Sequence, residues 1–245
     1  LDGQKLFALS STALKSAVAQ VSFAAAADES RPILTGVLIN FAEGILTLAG
    51  VDGFRLAQKK IKIAGPDFKM VITARSLLEL SRLLEGEVEV QRSDDSQLIF
   101  KTEDFEVFVQ ALEGEFPDYE QIIPANFETT IKFTAADLQK AVSLSSLFAD
   151  AGVGVVVLEY DPAKKALEVS SQESQTGESK TEVVVGGEGK KGTIAFNSRY
   201  LSDALAAFSG EEVTLGLNSA LDPVLFTTPA DKTYLHVIMP VRLQG

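Results

Sequence analysis

The 245-residue chain has no cysteine and no tryptophan, and it has a single histidine. Without cysteine there can be no disulfide, no thiolate nucleophile and no cysteine-ligated zinc, which fits a reducing compartment and points away from metal chemistry. The one histidine, His236, lies in a stretch of alternating character and reads as a structural side chain. A Ser-His-Asp triad would have to use it, and no G-x-S-x-G surrounds any serine. Long apolar runs are also missing: none approaches the roughly 18 residues of a membrane span. The start, LDGQKLFALS, lacks the basic and apolar regions of a signal peptide. Positive charge is scarce as well. Lys and Arg number 22 against 34 Asp and Glu, a net charge of −12, so bulk electrostatic attraction to phosphates is excluded as the source of any nucleic-acid role.

Two stretches imitate catalytic motifs without completing them. GGEGKKGT at 186–193 has the glycines of a phosphate-binding loop, but Lys190 is followed by Lys191 and then by a β-favouring run. A P-loop needs Gly-Lys-Ser/Thr opening a helix. Asp94 and Asp95 are adjacent acids between two strand-like runs, the pattern of a solvated turn more than of a catalytic carboxylate pair. The chain is expected to be no enzyme and to need no cofactor or metal.

What is present is a large apolar fraction, 46%, with a mean hydropathy of +0.15, enough for a sizeable core in a soluble chain of one or two domains. It also repeats itself. FALSSTALKSAV at 7–18 matches IKFTAADLQKAV at 131–142, setting Ser10, Leu14, Ala17 and Val18 against Thr134, Leu138, Ala141 and Val142. TARSLLEL at 73–80 matches NSRYLSDA at 197–204, setting Arg75 against Arg199 and Leu77 against Leu201. Both matches have the same spacing, 124 residues, too long for a solenoid. The chain is therefore two similar domains, taken as 1–124 and 125–245, with the breaker-rich EGEFPDYEQIIPANFETT between them.

Each copy carries the same elements. Ser10 and Thr134 stand as caps before helices expected at 11–25 and 135–148, and second helices are expected at 74–85 and 198–208. Between and after them lie alternating, β-rich runs. They turn at Glu43-Gly44, Asp52-Gly53 and Asp161-Pro162, and in the Gly-rich stretch 186–192. The fold class is α+β, each domain holding two helices and antiparallel sheets.

ESRPILTGVL, LAGVDGFRLA, EGEFPDYEQIIP, FNSRYL and VIMPVRL occur in this order, and together they resemble the second and third domains of the bacterial sliding clamp family, the beta subunit of DNA polymerase III. The resemblance covers essentially the whole chain. It implies the DNA clamp fold and a processivity role in DNA replication: a cytoplasmic ring of repeated domains, helices lining a hole for duplex DNA. Basic residues on the four expected helices, Lys15, Arg75, Arg82, Lys140 and Arg199, would face that DNA. A topologically linked protein slides with few strong phosphate contacts, so it can be acidic overall.

In the family, DNA polymerase III and other clamp-binding proteins dock short Leu/Phe-rich peptides between the second and third domains, and a clamp loader places the ring on DNA. Carried across, the peptide-binding residues would be Leu34, Val51, Gly53, Arg55, Leu56 and Pro124 from the first part of the chain. From the second they would be Asn197, Tyr200, Leu221, Pro223, Val237, Met239, Pro240, Val241 and Arg242. Met and Leu suit an adaptable apolar floor, Tyr200 an amphipathic lid, and Arg55 and Arg242 could donate to peptide carbonyls. Val51, Phe54 and Pro223 stand where other members of the family carry polar residues. The family closes its ring as a homodimer through its first and third domains. The chain holds no third copy of the repeat and begins with Leu1 in place of an initiator methionine, so the expectation is a monomeric fragment. A two-domain peptide-binding adaptor with no DNA role is the alternative, and an acid-catalysed hydrolase using Asp94 or Asp95 a remote third.

Overall fold

The computed structural model describes residues 3–93, 96–146, 154–171, 180–208 and 210–243. Asp94 and Asp95, the last two residues of the helix expected at 135–148, and Gln244-Gly245 lie outside them. The chain divides into two compact units, Leu1–Tyr119 and Glu120–Gly245.

The first unit runs β1 (Gln4–Ser10), α1 (Ser11–Ser22), β2 (Gly36–Ala42), β3 (Ile45–Val51), β4 (Arg55–Lys62), β5 (Phe68–Thr73), α2 (Ala74–Leu83), β6 (Glu87–Ser93), β7 (Gln97–Lys101) and β8 (Glu106–Gln110). A 3-10 turn at Pro32–Thr35 precedes β2. The strands pair antiparallel in the orders β1-β6-β7-β8 and β4-β3-β2-β5. Glu43 and Gly44 both adopt positive φ, 54° and 78°, the backbone of a two-residue hairpin turn whose twist matches the flanking strands.

The second unit repeats the plan with β9 (Thr129–Thr134), α3 (Ala135–Ser146), β10 (Val155–Asp161), β11 (Ala166–Ser171), β12 (Lys180–Val184), β13 (Gly186–Glu188), β14 (Gly192–Asn197), α4 (Ser198–Ala207), β15 (Glu212–Leu217), β16 (Val224–Thr228) and β17 (Asp231–Ile238). Its strand orders are β12-β11-β10-β14 and β13-β9-β15-β16-β17.

The two repeats match in detail. Leu14, Ala17 and Val18 on α1 are buried, and so are Leu138, Ala141 and Val142 on α3. Thr73 caps α2, its hydroxyl accepting from the Ser76 amide at 3.2 Å. Asn197, 124 residues on, caps α4 by accepting from the Arg199 and Tyr200 amides at 2.9 and 3.2 Å. Ser10 caps α1, accepting from the Ala13 amide at 3.2 Å. Each cap satisfies orphan donors of a first helical turn.

Three expectations differ from the structure. Helix α1 stops at Ser22 instead of running to residue 25, although Ala24 to Ala27 favour helix. The Ala26 amide donates to the Leu34 carbonyl at 2.8 Å, and this tertiary bond overrides propensity. Helix α2 ends two residues early because Leu84 turns extended (ψ 133°) to bury its side chain. The Gly-rich stretch 186–192 holds a short strand, β13, paired with β9. A side chain on Gly187 would strike the Thr130 carbonyl, so the glycine is there for close approach to β9.

Aromatic rings organise each core: Phe7, Phe41 and Phe68 stack in the first unit with neighbouring centroids 5.9 and 6.4 Å apart. In the second, Phe226 lies 6.1 Å from Phe196, and Phe208 5.1 Å from Tyr234. The breaker-rich segment also enters a core. Phe116 and Tyr119 are buried edge to face, and the Tyr119 hydroxyl accepts from the buried Gln58 amide at 3.1 Å.

Candidate functional site

In the first unit the expected peptide-binding residues gather on two turns. Leu34 is buried in the 3-10 turn, and Val51 and Leu56 are buried at the facing ends of β3 and β4. Between them Gly53 has φ +94°, a conformation other L-residues rarely adopt. Asp52 organises this turn. Its Oδ1 accepts the Phe54 and Arg55 amides at 2.9 and 3.0 Å, and its Oδ2 accepts from Arg55 Nε at 2.9 Å.

The Arg55 guanidinium also donates to the Phe23 carbonyl at 2.6 Å and lies 5.6 Å from that ring's centroid. Its side chain is 7% exposed. Arg55 is thus fastened to the turn and to the end of α1 within its own unit. Phe54, by contrast, is 61% exposed. In the sequence Asp52-Gly53 is a turn signal only, and the Asp-x-x-Arg spacing is the available hint that this turn is braced.

In the second unit Val237 is buried on β17, and Met239, Pro240 and Val241 continue it, half-buried, before Arg242 and Leu243 emerge exposed. The tail is anchored: the Val241 amide donates to the Ala195 carbonyl of β14 at 2.8 Å. Leu221 is exposed and Pro223 half-buried on the turn between β15 and β16. Tyr200 is half-buried in the first turn of α4, beneath its cap Asn197, and Pro124 is half-buried. His236 is fully buried with its ring 6.3 Å from Phe226, the setting of a core side chain.

Arg75, Arg82, Lys140 and Arg199 are exposed on their helices, and Lys15 is half-buried on α1. Arg75 donates to Glu79 at 2.9 Å one turn on, and that hydrogen bond raises the pKa of its guanidinium further. Lys140 stands 3.9 Å from Asp137. Such exposed pairs are weak and leave both cations available to an external phosphate.

Comparison with known proteins places both units in one family. Residues 8–118 match the family of the DNA polymerase III beta subunit central domain, and residues 120–242 that of its C-terminal domain. The chain is 33% identical over 236 residues to the beta sliding clamp of Bacillus subtilis, covering 94% of this chain and 62% of that protein. It is 34% identical over 239 residues to the beta sliding clamp of Streptococcus pneumoniae, again covering 94% and 62%. It thus spans about 62% of the length of these curated relatives. Among solved structures, the B. subtilis DNA polymerase sliding clamp superposes with a TM-score of 0.93 at 31% identity, over 98% of this chain and 65% of that one. The beta subunit of Streptococcus pyogenes DNA polymerase gives 0.93 at 29%, over 99% and 68%. The fold is the sliding-clamp fold, and the chain belongs to the DNA polymerase III beta subunit family, whose central and C-terminal domains it carries in that order.

Proposed function

We infer that the chain is the central and C-terminal part of a DNA sliding clamp, which tethers a replicative polymerase to its template without catalysing a reaction. The observation that carries this is the order of the two family matches along the chain, each falling on one compact unit. Its peptide-binding residues take up short Leu/Phe-rich segments of DNA polymerase III and of other clamp-binding proteins. A clamp loader and the cytoplasm belong to the same reading.

Duplex DNA passes through the complete ring, past Lys15, Arg75, Arg82, Lys140 and Arg199. The full-length protein forms that ring as a homodimer. Support comes from two strands that stand at the ends of their sheets: β8, with Phe108 43% exposed, and β12, with Val184 79% exposed. Edges of this kind are templates for pairing with a further strand.

The test is competition. Added to primer extension by a bacterial polymerase III with its intact clamp, the chain should shorten products by occupying the polymerase's docking peptide. Its Met239→Asp variant should not. Equal inhibition by both proteins, or by neither, would count against the reading.

A further inference from the structure

The sheet β4-β3-β2-β5 turns one face to α1: a side chain on Gly50 would strike the Val21 carbonyl of that helix. Residues one position off in β3, namely Ala49, Thr47 and Ile45, belong to the opposite face. Strand register sets that face in rows. Gln58, Ala49, Leu38 and Val71 form one row, and all four are buried because the segment after β8 crosses it. A side chain on Gly36 would strike Leu112 of that segment, and the Tyr119 hydroxyl meets Gln58. The next row is Lys60, Thr47, Asn40 and Lys69, and beyond it come Lys62, Ile45 and Ala42. Here the cover ends: Lys60, Lys62 and Lys69 are exposed, and Ile45 stands 40% exposed beside Lys62.

Among the described residues none of these lysines forms an ion pair, whereas Lys5, Lys101 and Lys180 on other strands each have one. Glu43, Asp67 and Glu115, on the adjoining turns and the covering segment, pair with none of them. In a chain of net charge −12, this face carries a local positive field. Lys69 also lines a cavity of about 310 Å³ between β5 and the covering segment, with Met70, Val71, Leu112, Glu115 and Phe116. The segment pairs with β5 at Ala111 and Leu112 and then turns at Gly114, where φ is +120°. An opening with apolar walls thus adjoins a row of uncompensated cations.

We propose that this face docks an acidic, extended segment of a partner protein, with one aliphatic side chain in the cavity beside Lys69 and carboxylates on Lys69, Lys60 and Lys62. Lys69 and Lys60 stand three strand spacings apart, about 14 Å, which an extended segment of about five residues spans. Charge complementarity selects an anion, and the cavity selects a protein: a nucleic acid has no aliphatic side chain to place there. A long polyanion also meets the repulsion of the whole acidic chain, while a short segment feels chiefly the charges within a Debye length, about 8 Å at physiological salt.

The experiment titrates fluorescein-labelled Leu-Glu-Glu-Ser-Glu-Glu, and the same peptide with Ser in place of Leu, with the parent chain, Lys69→Gln, the pair Lys60→Gln/Lys62→Gln and the pair Lys191→Gln/Lys232→Gln, which removes equal charge from the second unit. Lys60→Gln/Lys62→Gln should weaken the Leu peptide about fivefold, the sum of two modest exposed ion pairs, and Lys69→Gln about threefold. Lys191→Gln/Lys232→Gln should change it less than about twofold. The Ser peptide should bind the parent about tenfold more weakly than the Leu peptide, the effect of burying one aliphatic side chain. Equal losses in the two lysine pairs would reduce the effect to net charge and overturn the proposal, and so would equal binding of the Leu and Ser peptides. A parent that does not saturate at millimolar peptide would overturn it outright. An oligothymidylate that binds the parent more tightly than the Leu peptide, and loses affinity with Lys60→Gln/Lys62→Gln, would assign the face to nucleic acid instead. All the substituted side chains are exposed, so the variants keep the parent's core.

Discussion

The Val241 amide donates to the Ala195 carbonyl at 2.8 Å, and 124 residues before Ala195 the Val71 carbonyl accepts from Leu112, also at 2.8 Å. In both units the segment that leaves the last strand is fastened back to the strand preceding the second helix. In the first unit that segment continues into Phe116 and Tyr119, which bury themselves. In the second it emerges as Arg242 and Leu243, exposed. The same fastening in both units holds the segment after the last strand, Met239 to Val241 in the second, against the strand that precedes the second helix.

Tyr119→Phe should lower stability by about 1–3 kcal/mol. The substitution removes the acceptor of the buried Gln58 amide and leaves a donor without a partner, and the cost of an orphaned group exceeds the net value of the bond itself. Urea denaturation would measure it, and an unchanged midpoint would show that Gln58 finds another acceptor.

Tyr234→Phe should have the opposite sign. The Tyr234 hydroxyl is buried and meets no hydrogen-bond partner among the described residues, so its removal should raise stability at neutral pH by about 1 kcal/mol. Burial, with a smaller contribution from the Asp231 charge, pushes the phenol far above the ordinary range. The folded state therefore keeps this proton where the unfolded chain releases it. The stability linked to this group is fully present below the unfolded pKa of about 10 and is lost as pH rises above it, by about 1.4 kcal/mol per pH unit. Between pH 10 and 12 the parent should consequently lose stability faster than Tyr234→Phe. Parallel curves would contradict this.

The chain alone should bind linear duplex DNA weakly, and that binding should fall steeply with salt, since its net charge of −12 repels phosphate while a few helix cations attract it. Fluorescence anisotropy across ionic strengths reads this directly. Tight binding that resists salt would be foreign to a protein that works by encirclement.

Light scattering coupled to size exclusion should give these 245 residues a mass near 26.2 kDa. Their repeat provides two domains, and the ring-closing contact proposed for the family pairs different domains head to tail, a heterologous contact that needs both surfaces. A stable dimer at tens of micromolar would mean that the edges of β8 and β12 suffice for each other.

The duplication was legible because the core positions of both helices recur at helical spacing: Leu14 with Leu138 and Leu77 with Leu201 are all buried where the pattern placed them. The turns at Glu43-Gly44 and Asp52-Gly53 were legible through their backbone chemistry. What periodicity could not reach was decided by contacts distant in sequence. Ala24 to Ala27 leave the helix for a bond to Leu34, and Gly187 pairs with β9 for want of a side chain. Phe116 and Tyr119, inside a Pro-punctuated segment with no regular period, bury themselves in the first unit. The candidate site was legible only through its ordered motifs, and the brace at Asp52 was not, because one carboxylate serving a turn and an arginine looks in sequence like any Asp-Gly hairpin.

Peptide titration tests the account most directly. A labelled Gln-Leu-Ser-Leu-Phe peptide should bind the parent chain with a Kd in the micromolar range, about −8 kcal/mol. Met239→Asp, which sets an unpaired carboxylate beside the peptide's apolar side chains, should weaken binding at least about tenfold. A parent chain that does not saturate at millimolar concentration, or a Met239→Asp variant that binds as tightly as the parent, would contradict the assignment of the anchored tail as a docking surface.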